Sequence, residues 1–123
     1  MSDSKKLPVW CSGKEWCPIT STATLIGRKW HTVVIDRLLE DGAMGFSELQ
    51  SAVGEISSKV LSDVLEDLEE KKLVDRDIVS EKPFRVNYSL TERGAALQPV
   101  VEEMNNWGEK YLKPAENKNS SVA

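Results

Sequence analysis

Across residues 57–90 the apolar side chains change their period, and this change restricts the fold more than any other feature of the chain. Val60, Leu61, Val64, Leu65 and Leu68 recur at i, i+1, i+4, i+5 and i+8, one stripe on one helix face. Ser57, just ahead of them, is a favourable helix N-cap. From Leu73 the spacing drops to two. Residues 73–79 carry Val74, Ile78 and Val79 among charges, and residues 85–90 alternate Val86, Tyr88 and Leu90 with Arg85, Asn87 and Ser89. Lys82 and Pro83 lie between the two runs, so a long helix is followed by a β-hairpin with a longish tip. A chain that buries a helix stripe and a hairpin face in one core is α+β.

The flanking segments are helical. Residues 19–26 form a short helix, with Gly27 supplying a left-handed end. Residues 28–39 form a second, with Trp30, Val33, Val34 and Leu38 at helical spacing and Asp41-Gly42 as its stop. A short helix carrying Leu49, Ala52 and Val53 starts at Ser47, whose hydroxyl is read as its cap. After the hairpin, Thr91 caps a last helix in which Leu97, Val100, Met104, Trp107 and Tyr111 are spaced by three and four, and Pro99 kinks or restarts it. The expected organisation is an arm over residues 1–18, one domain with its C-terminal helix over 19–113, and a flexible polar tail over 114–123.

The chain of 123 residues suits one domain, and 40% hydrophobic with 29% charged residues places it among globular proteins. No apolar stretch reaches the eighteen or so residues of a membrane span, and no apolar segment follows the lysines of MSDSKK, so a cytoplasmic chain is expected, with no membrane partner. Two cysteines are too few for a secreted disulfide scaffold, which points to a reducing compartment and disfavours a structural disulfide. A net charge of −4 and a pI near 5.1 count against nucleic-acid binding unless positive charge is concentrated locally.

Helix, helix, short helix, long helix, hairpin, long helix is the element order of a winged helix, although order alone does not fix function. The residues narrow it. CPITSTATLIGRKW, then FSELQSAVGEISSKVLSDVLEDLEEKKLVDR, then FRVNYSLTERGAALQPVVEEMNNWG closely resemble the HxlR-type winged helix-turn-helix regulators, from about Cys17 to Trp107 with matched gaps. The resemblance is carried in order by Cys17-Pro18, Gly27 with Lys29-Trp30, Phe46 with Glu48-Leu49, Ile56-Ser57 with Lys59 and Leu61, Leu73-Val74 with Arg76, Tyr88 with Leu90-Thr91 and Gly94, and Trp107. It implies a mostly helical winged helix-turn-helix with added N- and C-terminal dimerisation helices, acting as a homodimeric, sequence-specific transcription factor without catalytic chemistry. The implied partner is double-stranded DNA carrying an inverted-repeat operator. One departure is that Met44-Gly45 precede Phe46, where the family usually has a basic residue that contacts the backbone.

Opposite the core stripe, the long helix carries Lys59, Asp63, Glu66 and Glu70, with Ser62 on its shoulder. Donors gather at its start and acids beyond, a gradient suited to a recognition helix that enters the major groove by its N-terminal end. The plainer alternative is the polar face of an ordinary surface helix. Candidate DNA contacts are Ser57, Ser58, Lys59 and Ser62, with Ser47 at the start of the preceding helix, Arg28 and Lys29 at the start of the second helix, and Lys82 and Arg85 at the hairpin tip. Trp16, Leu97, Val100, Met104, Trp107 and Tyr111 are the candidate dimer interface, since Trp107 and Tyr111 near the chain end have little of their own domain to bury them.

Cys11 and Cys17, five residues apart, do not match a structural zinc pair, and the single histidine, His31, reads as an ordinary helix residue, so neither a metal nor a cofactor is expected. Cys17 precedes Pro18 and a helix start, whose free N–H groups favour a thiolate. Some HxlR-type relatives sense oxidants or electrophiles through the matching cysteine. The resemblance thus implies Cys17 as a candidate redox thiol with Cys11 as resolving partner, against the alternative of a buried, inert cysteine. Two other function classes stand beside DNA binding. One is a winged-helix module that binds protein through the acidic helix face. The other is a small-molecule sensor walled by Trp16, Trp30 and Trp107.

Overall fold

The computed structural model describes residues 16–114. The strongest helix of the sequence is α4, Ser58–Glu70, and it begins as its cap requires: the Ser57 hydroxyl oxygen accepts the Val60 N–H at 3.1 Å. Its Leu61, Val64, Leu65 and Leu68 are buried, while Val60 at the edge of the stripe stays 37% exposed. Against them pack Val34, Ile35 and Leu38 of α2 (Lys29–Asp41) and Leu49 of α3 (Phe46–Val53). Leu73, Val74 and Tyr88 from the sheet and Val101 of the last helix complete this core. The inward positions are almost all Leu, Ile and Val, so apolar burial and close packing hold the elements together.

The hairpin consists of β2, Val74–Glu81, and β3, Phe84–Leu90, paired from Val74↔Leu90 out to Glu81↔Phe84 with an irregularity between Ile78 and Ser80. Both strands run further than the alternation indicates, so the tip is only Lys82 and Pro83, joined by a cis peptide bond, rather than a long loop. A two-residue strand, β1 (Met44–Gly45), pairs with Tyr88 and Asn87 on the free edge of β3 and gives the sheet order β1-β3-β2.

Two helix starts and one helix end differ in detail from the sequence reading, for physical reasons. The first helix, α1, is Pro18–Ile26, so it starts inside the expected arm, with Cys17 as its N-cap and Pro18 in the first turn, where its missing N–H costs nothing. Gly27 ends α1 at φ −80°, not in the left-handed region. What requires glycine there is room, because a Cβ would run into the Ala23 carbonyl oxygen. The Thr32 hydroxyl donates to the Ile26 carbonyl and so ties α1 to α2. Ser47 is not the cap of α3, since that helix starts one residue earlier and Glu48 Oε1 accepts the Gly45 N–H at 2.9 Å.

After the hairpin, the Thr91 hydroxyl accepts the Gly94 N–H at 3.0 Å and donates to the Lys72 carbonyl at 2.7 Å, starting the short α5, Glu92–Ala95. Gly94 lies so close to the Leu73 carbonyl that a Cβ would collide with it. The chain then restarts as α6, Gln98–Tyr111, with Pro99 in its first turn, and α6 packs on α2 through Val101. No helix among the described residues is long and apolar enough to cross a membrane.

Candidate nucleic-acid interface

Helix α3 turns into α4 through Gly54, Glu55, Ile56 and Ser57. Gly54 has φ +102°, and the buried Ile56 anchors the turn in the core. Gln50, on the last turn of α3, donates from Nε2 to the Ile56 carbonyl at 3.0 Å and lies 3.2 Å from the Ser58 hydroxyl oxygen. This side chain locks the two helices at a fixed angle. Sequence reasoning missed it, because a glutamine before a glycine turn carries no periodic signal.

The exposed start of α4 presents Ser57, Ser58, Lys59 and Ser62 to solvent. Three of them are already engaged, Ser57 as the cap that accepts the Val60 N–H. Ser58 receives Gln50, and the Lys59 ammonium is 3.1 Å from Asp63 one turn on, an exposed pair of small worth that leaves the lysine exchangeable. Ser47 and Arg85 come together, lining one cleft between the start of α3 and the β3 edge with Arg76, Phe84 and Asn87. Arg76, named in the sequence only for the family resemblance and not among the candidate DNA contacts, also belongs to this surface. Lys82 sits at the hairpin tip, exposed. Lys29, Arg76, Lys82 and Arg85 form no ion pair among the described residues.

Arg28 and Lys29 stand at the start of α2 and share a second cleft with Val60, Asp63 and Asp67 of α4. Lys29 places its ammonium 4.5 Å from the centre of the Trp30 ring. Arg28 reaches Asp67 at 3.7 Å, a partly screened pair. Asp67 also receives Lys71 at 2.7 Å and the buried His31 Nε2 at 2.8 Å. Burial, the largest single influence, pushes the Asp67 carboxyl upward, yet the hydrogen bonds from Lys71 and His31 and the nearby charges outweigh it and hold it below the ordinary carboxylate value. His31 is thus a buried helix residue with a carboxylate partner, a pairing that the sequence alone does not reveal.

The candidate dimer residues divide. Val100, Met104, Trp107 and Tyr111 line the outer face of α6, with Trp107 58% and Tyr111 59% exposed and their rings 5.2 Å apart. Trp16 is also exposed, whereas Leu97 is partly buried against the core of its own chain. Pro99, Val100, Met104, Trp107 and Leu112 line a shallow apolar groove of about 700 Å³ on this face. Trp30 and Trp107 line different clefts and so do not wall one ligand site between them.

Cys17 is fully buried, and its Sγ, 3.4 Å from the Thr20 N–H, caps α1. It is disulfide-bonded, contrary to the disulfide-free state expected from the compartment. Compartment describes the redox environment and does not limit what the chain geometry permits. Cys11 lies outside the described residues. Among the described residues no group of three or more His, Cys, Asp or Glu is placed to hold a metal ion.

A helix pair locked by Gln50, a donor-rich second helix and a flanking hairpin with free arginines define a winged helix-turn-helix DNA-binding domain. The match is specific enough to give the family: residues 25–116 match the HxlR-like helix-turn-helix model, and the chain belongs to that family of transcriptional regulators. Over 105 residues, 85% of this chain and 93% of the relative, it is 36% identical to the HTH-type transcriptional regulator YodB of Bacillus subtilis (strain 168). The reduced form of YodB from B. subtilis superposes with a TM-score of 0.68 at 36% identity, covering 82% of this chain and 99% of YodB. The redox regulator HypR in its oxidized form gives a TM-score of 0.71 at 34% identity, covering 79% and 99%.

Proposed function

We propose that the chain binds an inverted-repeat operator as a homodimer, each protomer inserting the start of α4 into a major groove and laying the hairpin on the adjacent backbone. The observation that carries this is the polarity of α4: exposed hydroxyls and Lys59 at its N-terminal end, acids along the rest of its outer face. Such a helix approaches DNA end-on, because its later turns repel phosphate. Ser57, Ser58, Lys59 and Ser62 read bases, while Arg28, Lys29, Ser47, Lys82 and Arg85, joined by Arg76, hold phosphates.

The exposed apolar face of α6, with Trp16, supports a two-fold interface, since a water-soluble monomer seldom leaves Met104, Trp107, Tyr111 and Leu112 together in solvent. The buried, disulfide-bonded Cys17 at the helix start supports a thiol-dependent response, with Cys11 as its counterpart. Electrophoretic mobility shifts of protein treated with diamide or with reductant test that response. Different operator affinities are expected, and equal affinities together with a wild-type Cys17→Ser variant contradict it. Sedimentation at micromolar concentration tests assembly, with a dimer expected and a monomer contradicting it.

A further inference from the structure

The face of α4 opposite the core carries Lys59, Asp63, Glu66 and Glu70. At about 1.5 Å of rise per residue, Asp63 stands about 7.5 Å past Ser58 along the axis, and Glu66 and Glu70 about 12 and 18 Å past it. A major groove is about 8.5 Å deep. A helix entering end-on therefore carries Asp63 into the groove with Lys59 and leaves the two glutamates at its mouth or beyond. Lys59 Nζ donates to Asp63 Oδ2 at 3.1 Å, and both side chains are exposed. Such a pair adds little to stability, so stability is a weak reason for an acid at this place.

A carboxylate only accepts hydrogen bonds, and between phosphate-lined walls it is tolerated only opposite a donor. The donors of the major groove are the amino groups of cytosine N4 and adenine N6. Lys59 and Asp63 set a donor and an acceptor one hydrogen-bond length apart. The edge of a C·G pair offers the complement at the same spacing, because cytosine N4 and guanine O6 are themselves hydrogen-bonded to each other. Beyond O6 lies guanine N7, a second acceptor for the ammonium. An A·T pair also sets a donor beside an acceptor, but there adenine N7 opposes the carboxylate and the thymine methyl crowds the ammonium. Reversing C·G puts the carboxylate against O6. Arg28 and Lys29 line one cleft with Asp63, so their positive charge offsets its repulsion by the flanking phosphates.

Building on the DNA reading above, we propose that Asp63 determines sequence choice. Together with Lys59 it reads one C·G base pair in each half-site, Asp63 accepting from cytosine N4 and Lys59 donating to guanine O6 or N7.

The test is selection from a random duplex library with the full chain, wild type and variants, followed by affinities for the selected duplex and for single-base-pair changes in it. Wild type is expected to enrich C·G at one position of each half-site and to bind about tenfold more weakly when that pair is changed. Asp63→Ala is expected to accept any base there, to keep its other preferences and to bind unrelated duplex more tightly than wild type. Asp63→Asn, whose amide both donates and accepts, is expected to move the preference to adenine. Lys59→Ala is expected to relax the same position. A pair that merely stabilises the helix would leave every base preference as in wild type. Unaltered preferences in Asp63→Ala, or Asp63 and Lys59 variants that relax different positions, overturn the inference while leaving DNA binding intact. Failure of the wild-type protein to enrich any sequence overturns both.

Discussion

Single side chains hold this protein's elements in place, and Asp67 is the one with most partners. Its carboxyl is depressed in the folded state, so the stability it contributes is present above the unfolded value near 3.8 and is lost as pH falls through the lower folded value. Denaturant unfolding of Asp67→Asn is expected to show a shallower fall in stability below about pH 4 than wild type; parallel profiles would contradict the network. Gly94 acts by having no side chain. Gly94→Ala forces a methyl group against the Leu73 carbonyl, so a loss of about 1–3 kcal/mol is expected in equilibrium unfolding, and a neutral result would contradict the close approach. Neither role was legible beforehand. A glycine after a Thr cap and an aspartate on a polar helix face look alike whether or not the fold brings a carbonyl or a buried imidazole to them.

The elements were far more legible than their contacts. The period of α4, its Ser57 cap, the alternation in the hairpin and the Pro99 restart were all readable, because each follows from local geometry. The two-residue β1 was not, since so short a strand has no period and forms only because β3 offers it an edge. Helix α6 shows the limit best. Its apolar repeat marks the exposed face, while the residue that packs inward is the adjacent Val101. The helix-turn-helix depends on Gln50 bridging the turn, so Gln50→Ala is expected to cost about 1 kcal/mol of stability and to weaken DNA binding, measured by unfolding and by fluorescence anisotropy of labelled duplex. Unchanged stability and affinity would show that the backbone alone holds the turn. In the wing, Arg85→Ala is expected to lower affinity for all sequences alike and to reduce the salt slope by about one, as loss of one phosphate contact requires. Loss of discrimination at one base pair would instead make Arg85 a reader of bases.

At the scale of the whole molecule, an acidic chain binds a polyanion only where cations face it, and here Arg76 and Arg85 line one cleft beside the start of α3, although the wing also exposes Asp75, Asp77 and Glu81. Net charge could not reveal that arrangement; the fold does. The proposed assembly rests on the apolar face of α6, and Trp107→Glu places a charge in its centre, so that variant is expected to sediment as a monomer and to lose most of its operator affinity. A dimeric Trp107→Glu would move the interface elsewhere. In the proposed complex a symmetric pair of α4 helices reads the DNA end-on. Selection from a random duplex library with purified protein at low salt tests it most directly. Enrichment of an inverted repeat with half-sites about one helical turn apart is expected, and a pool that stays random after repeated rounds would overturn the DNA-binding proposal.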